Sequence, residues 1–237
     1  MKCSSPCLDG IPSWFFRNCS YEIAHVVTHI LNLSFTHGVI SQRWRCAVVT
    51  PVTKVPKTTA ISDFRPISVT PLLSRVAERI LARKLLLSAI PTDMLADQSE
   101  FRPSGSTQCA LINVLHHVTT MLENCDYVRC LMIDFSRAFD VVDHSILLAK
   151  LSQLELLECI QKWFVTFLVG RCQSVKTDCL FSSQQHINRG IVQGSGVGPM
   201  LYIVMECDLH TLSRNNIMFT YADDTNLLVP AYSDVSF

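Results

Sequence analysis

The sequence predicts an α+β fold, with helices packed on a mainly antiparallel sheet. One observation is the order of elements: a helix-rich basic stretch, then strand–helix–helix, then a glycine-rich loop with a helix, then a hairpin. Another is the hairpin itself. Apolar runs from Ile217 to Ala222 and from Asn226 to Val229 read as antiparallel strands, with Asp223-Asp224 as the turn between them. A third is that no internal repeat, low-complexity tract or linker divides the 237 residues.

Composition sets the bounds. A chain with 49% hydrophobic and 17% charged residues is globular and long enough for a substantial core. No apolar run reaches the length of a membrane span, and the N-terminus has no signal-peptide core, so no membrane partner is expected. Eleven cysteines, odd in number and without a CxxC pair, suggest reduced thiols in an intracellular protein. Net charge is zero but unevenly spread. Residues 1–107 carry 12 Lys and Arg against 7 Asp and Glu, and residues 108–237 carry 8 against 13. A +5 half and a −5 half suit a polyanion on the first and metal on the second. His25 and His29 lie four apart on a helix and read as ordinary helix histidines, since a zinc site needs closer partners.

The opening Ser5-Pro6-Cys7-Leu8-Asp9-Gly10-Ile11-Pro12 is turn-rich and reads as a lead-in. Ile23, Val26, Val27, Ile30, Leu31 and Leu33 then recur at helical spacing from Ser20 to Thr36, and Gly38 ends the helix. Trp44 to Val55 alternates toward β structure, with Lys54 and Lys57 beyond, and a loop follows from Thr58 to Arg65. Thr70-Pro71 starts a helix with a hydroxyl cap and a proline in the first turn. That helix is expected to bury Leu72, Leu73, Val76, Ile80 and Leu87. Its other face carries Arg75, Arg79 and Arg83 four residues apart, either a track for a phosphate backbone or a solvated face salted by Glu78. Asp97 to Thr107 reads as a loop, and in the next helix Leu111, Val114, Leu115, Val118 and Met121 face inward.

Tyr127 to Asp134 is a near-continuous apolar run ending in a carboxylate, and reads as a buried strand. Asp134 then stands at the strand's C-terminal end, a common place for catalytic groups. Helices follow from Asp143 to Gln153 and from Leu156 to Val169, with strand-like segments at Gln173–Thr177 and Gln185–Asn188. The stretch from Arg189 to Pro199 holds four glycines, so its backbone bends sharply or is approached closely by a ligand. A helix from Met200 to Ser213 leads to the hairpin. Adjacent carboxylates repel unless a cation neutralises them, and two hard oxygen donors suit Mg²⁺. A solvated Asp-Asp turn is the alternative for the pair on its own.

Three separated segments change that balance. Asp134-Phe135-Ser136-Arg137-Ala138-Phe139-Asp140 with Val142-Asp143-His144, the loop Gly190-Ile191-Val192-Gln193-Gly194-Ser195 through Gly198-Pro199, and Tyr221-Ala222-Asp223-Asp224 together resemble the reverse transcriptases of non-LTR (LINE-type) retrotransposons. The resemblance extends through Asp63-Phe64-Arg65-Pro66-Ile67-Ser68, Phe101-Arg102-Pro103-Ser104-Gly105-Ser106-Thr107 and Gly170-Arg171-Cys172-Gln173-Ser174-Val175, covering nearly the whole chain. It looks most similar to the jockey and chicken-repeat lineages. Val192 stands where many relatives have proline, and Met205-Glu206-Cys207-Asp208-Leu209 where Tyr-Ile-Asn-Asp-Leu is frequent. Neither departure removes a catalytic group.

The resemblance implies a right-hand polymerase: a fingers-like region over 1–125 and a palm over 126–237, with the thumb missing. It implies RNA-directed DNA synthesis, in which Asp134, Asp223 and Asp224 hold two Mg²⁺ ions (Mn²⁺ as the alternative). The backbone carbonyl of Phe135 is a further ligand, and Asp223 binds more directly than Asp224. Phe139 falls where the family places the ring that excludes a ribose 2′-hydroxyl. Lys54 and Arg65 match positions that grip the triphosphate, while Gln193 and Gly194 admit nucleotide and template. Asp140 and Asp143 read as caps of the following helix.

The implied partners are an RNA template, a DNA primer and deoxynucleoside triphosphates, in the nucleus or cytoplasm. The end of the chain 13 residues after Asp224 suggests a truncated fragment, with an open sheet edge, uncovered apolar surface and weak or absent polymerisation in isolation. The rival readings are an inactive nucleic-acid-binding remnant, an RNA-templated RNA polymerase and a two-metal nuclease. Phe139 argues against the second, and the glycine loop together with the fingers motifs against the third.

Overall fold

The computed structural model describes residues 8, 10–95, 98, 106–178 and 180–231. The lead-in at residues 1–7 and 9 and most of the loop at 96–105 lie outside the described residues. In chain order the first elements are α1 (Ser13–Asn18), α2 (Ser20–His37), β1 (Cys46–Thr53), β2 (Phe64–Val69) and α3 (Leu72–Leu81). A π-helical stretch, Ala82–Leu86, joins α3 to the short α4 (Leu87–Ala89), and α5 (Thr107–Leu122), β3 (Val128–Asp134), α6 (His144–Ser152) and α7 (Glu158–Leu168) come next. The remainder is β4 (Arg171–Thr177), β5 (Leu180–Phe181), β6 (Gln185–Ile187), α8 (Gly198–Glu206), β7 (Ile217–Tyr221) and β8 (Asp224–Pro230). The class is α+β, and among the described residues every ladder is antiparallel except that of β1 with β4. No described helix is long and apolar enough to cross a membrane.

Contacts divide the chain into two units, each made of two segments: residues 1–89 with 139–198, and residues 90–138 with 199–237. The first unit holds the sheet β2-β1-β4-β5, with β6 also paired to β4. Its core is the aromatic face of α7, where Trp163, Phe164 and Phe167 are at most 1% exposed. The Trp163 and Phe167 rings stack at 5.1 Å, and the Trp163 indole N–H donates to Ser34 Oγ of α2 at 3.0 Å. Gly38 ends α2 at φ +64°, and a Cβ there would lie 2.6 Å from the Cys159 carbonyl of α7, so only glycine allows this crossing. Along α2 only Leu31 is buried, and His25 and His29 are exposed.

β2 occupies part of the expected 58–65 loop and runs on through Pro66. Two prolines, Pro51 and Pro66, stand opposite each other in its pairing with β1. Both are tolerated, because β2 is an edge strand and β1 pairs with β4 only over Cys46–Val49. α3 is capped by the extended Pro71 with no side-chain cap bond, unlike the expected hydroxyl cap. Its buried stripe is Leu72, Ser74, Ala77, Glu78 and Leu81, while Ile80 is 38% exposed. The inner face thus includes two polar residues, Ser74, which donates to Glu78 one turn on, and Glu78, whose other partners lie far along the chain.

The second unit holds the sheet β3-β8-β7, with α5 against all three strands. Its core is Met121, Phe219 and Leu228, with Val114, Val118 and Val128 packed around them. Leu111 and Leu115, expected inside, are 61% and 55% exposed. β3 also departs from expectation. Among the described residues it is an edge strand with one neighbour, and Leu131, Met132 and Ile133 are 46%, 83% and 40% exposed. α8 stops at Glu206, seven residues short of the expected end at Ser213. The hairpin turn also shifts by one residue. Tyr221 pairs with Asp224, so Ala222-Asp223 form the turn and Asp224 opens β8.

Asp143 caps α6 by accepting from the backbone N–H of Ser145 at 2.8 Å and of Ile146 at 3.5 Å. The Ser145 hydroxyl, then these amides, holds its carboxyl below the ordinary 3.8. Asp143→Ala should lower the urea midpoint at pH 7. The gap to wild type should be full above about 3.8 and close as pH falls through the lower folded value. A gap that stays constant down to pH 2 would remove the charge contribution.

Candidate active site

The acidic site arises from strand pairing. In the antiparallel ladder of β3 with β8, Asp134 at the end of one strand is opposite Asp224 at the start of the other. Directly opposed residues in such a ladder lie about 4.5–5.5 Å apart at Cα, and like charges there repel. Asp223 sits next to Asp224 in the turn, so three carboxylates share one end of the sheet. Asp134 and Asp224 are exposed, and Asp223 is half-buried. No ion pair among the described residues neutralises them.

The donor set, three hard carboxylates with no cation among them, fits Mg²⁺ or Mn²⁺. The side chains are nonetheless not drawn together, and no group of three His, Cys, Asp or Glu among the described residues forms a ready metal cage. Phe135 is 39% exposed, and its carbonyl accepts from the Ala138 N–H at 3.2 Å, leaving one lone pair. Behind the turn, Tyr202 of α8 is 3% exposed and donates to Glu206. Burial, then the Glu206 carboxylate and the charge of Asp223, pushes its phenol far above the ordinary range, so it stays protonated. Glu206, a departure from the family pattern, therefore has a partner here.

The glycine loop is a separate construction in the first unit. Gly190 and Gly194 have φ of +84° and +103°. A Cβ on Gly190 would lie 2.8 Å from the Asp140 carbonyl, and one on Gly194 would lie 2.8 Å from the Ser68 carbonyl. The loop is therefore pressed against residues 139–144 on one side and against the end of β2 on the other. The Ile191 N–H donates to the Phe139 carbonyl at 2.7 Å, and the His144 ring bonds the Gly190 carbonyl at 2.8 Å. The Gln193 side chain donates to Asp140 Oδ1 at 2.9 Å, while the Gln193 backbone carbonyl accepts from the Ser68 N–H at 2.9 Å. Asp140 thus holds Gln193; of the two expected caps, only Asp143 caps the helix.

Glu78, which one of the two readings of α3 placed on a solvated face, is fully buried and anchors this loop. Its carboxylate accepts from the Ser74 hydroxyl at 2.7 Å, the Ser195 hydroxyl at 2.5 Å and the Gly196 N–H at 2.7 Å. Nearby Arg171 is 1% exposed, and its guanidinium lies 4.7 Å from the Phe167 ring centre. Burial lowers its pKa and the Glu78 charge opposes that fall. Ser74 four residues before Glu78, on the same helical stripe as Leu81, was the available signal for an inward carboxylate. Tyr202 carried no comparable signal.

The expected triphosphate-gripping residues stand on one hairpin. Arg65 faces Val52 in the β1–β2 register, and the Lys54 N–H donates to the Asp63 carbonyl at 2.7 Å. The loop between them is closed by Asp63 Oδ2, which accepts from the Thr59 and Ala60 amides at 2.8 and 2.9 Å; these hold its carboxyl below the ordinary range. Lys54 and Arg65 are exposed, Phe139 and Gln193 half-buried, and Gly194 exposed. Arg79 and Arg83 are exposed and Arg75 half-buried. Arg83 falls in the π-helical stretch, where the regular four-residue stripe ends.

Residues 55–236 match the family described as reverse transcriptase (RNA-dependent DNA polymerase), and the chain belongs to that family. Within it, the relatives are of the non-LTR retrotransposon kind. The RNA-directed DNA polymerase from mobile element jockey of Drosophila melanogaster is 31% identical over 215 residues, covering 86% of this chain and 23% of that protein. The probable RNA-directed DNA polymerase from transposon X-element of the same species is 26% identical, covering 84% of this chain and 22% of the relative. The chain thus spans less than a quarter of the length of these relatives. Among solved structures, apo telomerase from Candida tropicalis shares the fold, with TM-score 0.58 at 11% identity over 91% of this chain and 45% of that one.

Glu78→Ala should cost about 3–5 kcal/mol in urea unfolding, as when one partner of a buried charged network is removed. Glu78→Gln, which keeps an acceptor oxygen, should cost less. A loss below about 1 kcal/mol for the alanine variant would show that Glu78 does not hold the loop.

Proposed function

We propose that this chain carries the nucleotidyl-transfer centre of an RNA-directed DNA polymerase of a non-LTR retrotransposon. The observation that supports it is the β3–β8 register, which lines up Asp134 with Asp224 beside Asp223 in a chain of the reverse transcriptase family. In this reading residues 1–125 form a fingers-like region and residues 126–237 a palm. Asp134, Asp223, Asp224 and the Phe135 carbonyl hold two Mg²⁺ ions, with Mn²⁺ as a substitute. When bound, such ions lower the pKa of the primer 3′-hydroxyl and neutralise the triphosphate. The carboxylates fix where that positive charge sits, and no side-chain nucleophile is required.

Lys54 and Arg65, both exposed on one hairpin, bind the triphosphate. The loop around Gln193 and Gly194 offers rigid backbone to the base and template, held by Asp140, Ser68 and Glu78. Phe139 excludes the ribose 2′-hydroxyl, and Arg75, Arg79 and Arg83 follow the phosphates of the template–primer. One observation favours a second reading, a binding remnant without turnover: the three carboxylates do not form a ready cage.

Primer extension on poly(rA)/oligo(dT) with Mg²⁺ and dTTP separates the two. Extension, however slow, should fall by at least about 100-fold in Asp134→Asn, Asp223→Asn and Asp224→Asn, matching the loss of several kcal/mol of charge stabilisation. No extension with retained salt-dependent binding of the template–primer would establish the remnant instead. Where extension is seen, Phe139→Ala should raise the use of UTP relative to dTTP by roughly 10–200-fold. An unchanged ratio would remove Phe139 from nucleotide selection.

A further inference from the structure

We infer that Gln98 is a positioning residue for the acidic turn, pinning the backbone that aims Asp223 and Asp224. The inference rests on the reading of that turn as a cation site. Ala222, the first turn residue, has φ +55°, a left-handed conformation that is unfavourable for any residue with a Cβ. The Gln98 side chain meets both polar groups of this one residue. Its Oε1 accepts from the Ala222 N–H at 3.2 Å, and its Nε2 donates to the Ala222 carbonyl at 3.4 Å.

The Ala222 N–H belongs to the peptide plane shared with Tyr221, and its carbonyl to the plane shared with Asp223. Rotation between those two planes is what φ and ψ of Ala222 describe. A single amide bonded to both planes therefore blocks the turn from flipping to a relaxed right-handed form. Such a flip would re-aim Asp223 and move Asp224 out of register with Asp134.

The clamp is itself anchored. Gln98 forms an isolated parallel bridge with Thr220 of β7, the residue two before Ala222. The residue is 4% exposed, so little water competes for these bonds. Residue 98 falls in the stretch expected as a loop, Asp97 to Thr107. Spatially it reaches across 124 residues to the turn.

Two readouts test this on the full chain. One is hydrogen exchange of the Ala222 amide by NMR. The other is aromatic-sensitised Tb³⁺ luminescence, with Tb³⁺ as the probe for a hard divalent cation. Gln98→Met, close in shape but without hydrogen bonds, should speed exchange and weaken Tb³⁺ binding, each by about 10-fold, the size of one lost buried hydrogen bond. Gln98→Asn, which keeps a buried amide but is one methylene too short to span both groups, should do the same if the methionine variant fails to fold. Adding Ala222→Gly to Gln98→Met should restore much of the Tb³⁺ affinity, because glycine adopts positive φ without strain.

Unchanged exchange in both Gln98 variants would overturn the clamp. Faster exchange with Tb³⁺ affinity at the wild-type level would overturn the positioning role. If Asp223→Asn leaves Tb³⁺ binding intact, the cation reading fails, and the positioning role fails with it. The exchange data then show separately whether the clamp exists.

Discussion

The pairing of β3 with β8 is the constraint on which the acidic site depends. Seven consecutive residue pairs, from Val128 with Pro230 to Asp134 with Asp224, bring together two carboxylates 90 positions apart in the sequence. A slip of one residue would send every side chain of one strand to the opposite face and separate the acids. Nothing at Asp134 or Asp224 themselves favours this register, since their charges repel. It is enforced from the other end of the ladder. There Val128 and Leu228 join Met121 and Phe219 in a core that α5 covers. Apolar packing thus holds two acids together against their own repulsion, which is the arrangement expected where a cation is to be bound.

The glycine loop solves the opposite problem. On the proposed reading it offers backbone without side chains in the way, yet remains stiff. Glycines supply the close approach at Gly190 and Gly194, and the stiffness comes from side chains elsewhere. Asp140 takes the Gln193 amide, and Glu78 takes Ser195 and Gly196. A fully buried carboxylate is costly unless its oxygens are saturated with donors and a positive charge lies near. Glu78 has three donors within 2.7 Å, and the buried Arg171 guanidinium interacts with its charge. The cost of burying that charge is offset only when loop and helix are together, so the loop's position is specified by the same charge.

Much of this was legible in the sequence where a signal was local. Asp134 stood out as a carboxylate ending an apolar run, and Asp223-Asp224 as acids between two short β-prone runs. The Asp143 cap and the Gly38 stop follow from elementary helix-end chemistry. Features that depend on distant partners were not legible. Glu78 looked like a surface residue because its acceptors' partners are 117 and 118 residues away. The apolar run of β3 implied two-sided burial, but no local signal states how many neighbours a strand has. β2 was hidden by Pro66, whose tolerance depends on its place at the sheet edge. The turn was misplaced by one residue because Asp-Asp matches turn chemistry better than Ala-Asp, and the left-handed position fell on an alanine.

That alanine is informative in its own right. A left-handed conformation at a residue with a Cβ costs roughly 1–2 kcal/mol, which glycine would avoid. Glycine would also leave the turn able to sample many conformations, at an entropic cost whenever the acids had to be aligned. Alanine with an external clamp gives a different balance: a conformation that is strained alone but singular when held. Strain of this kind persists only where the surroundings over-determine it. Here they do so through two hydrogen bonds to one side chain, a backbone bridge at Thr220 and the hairpin register on either side. A preorganised acidic turn lowers the reorganisation needed when charge develops during reaction, which is where most of the electrostatic benefit of such a site lies.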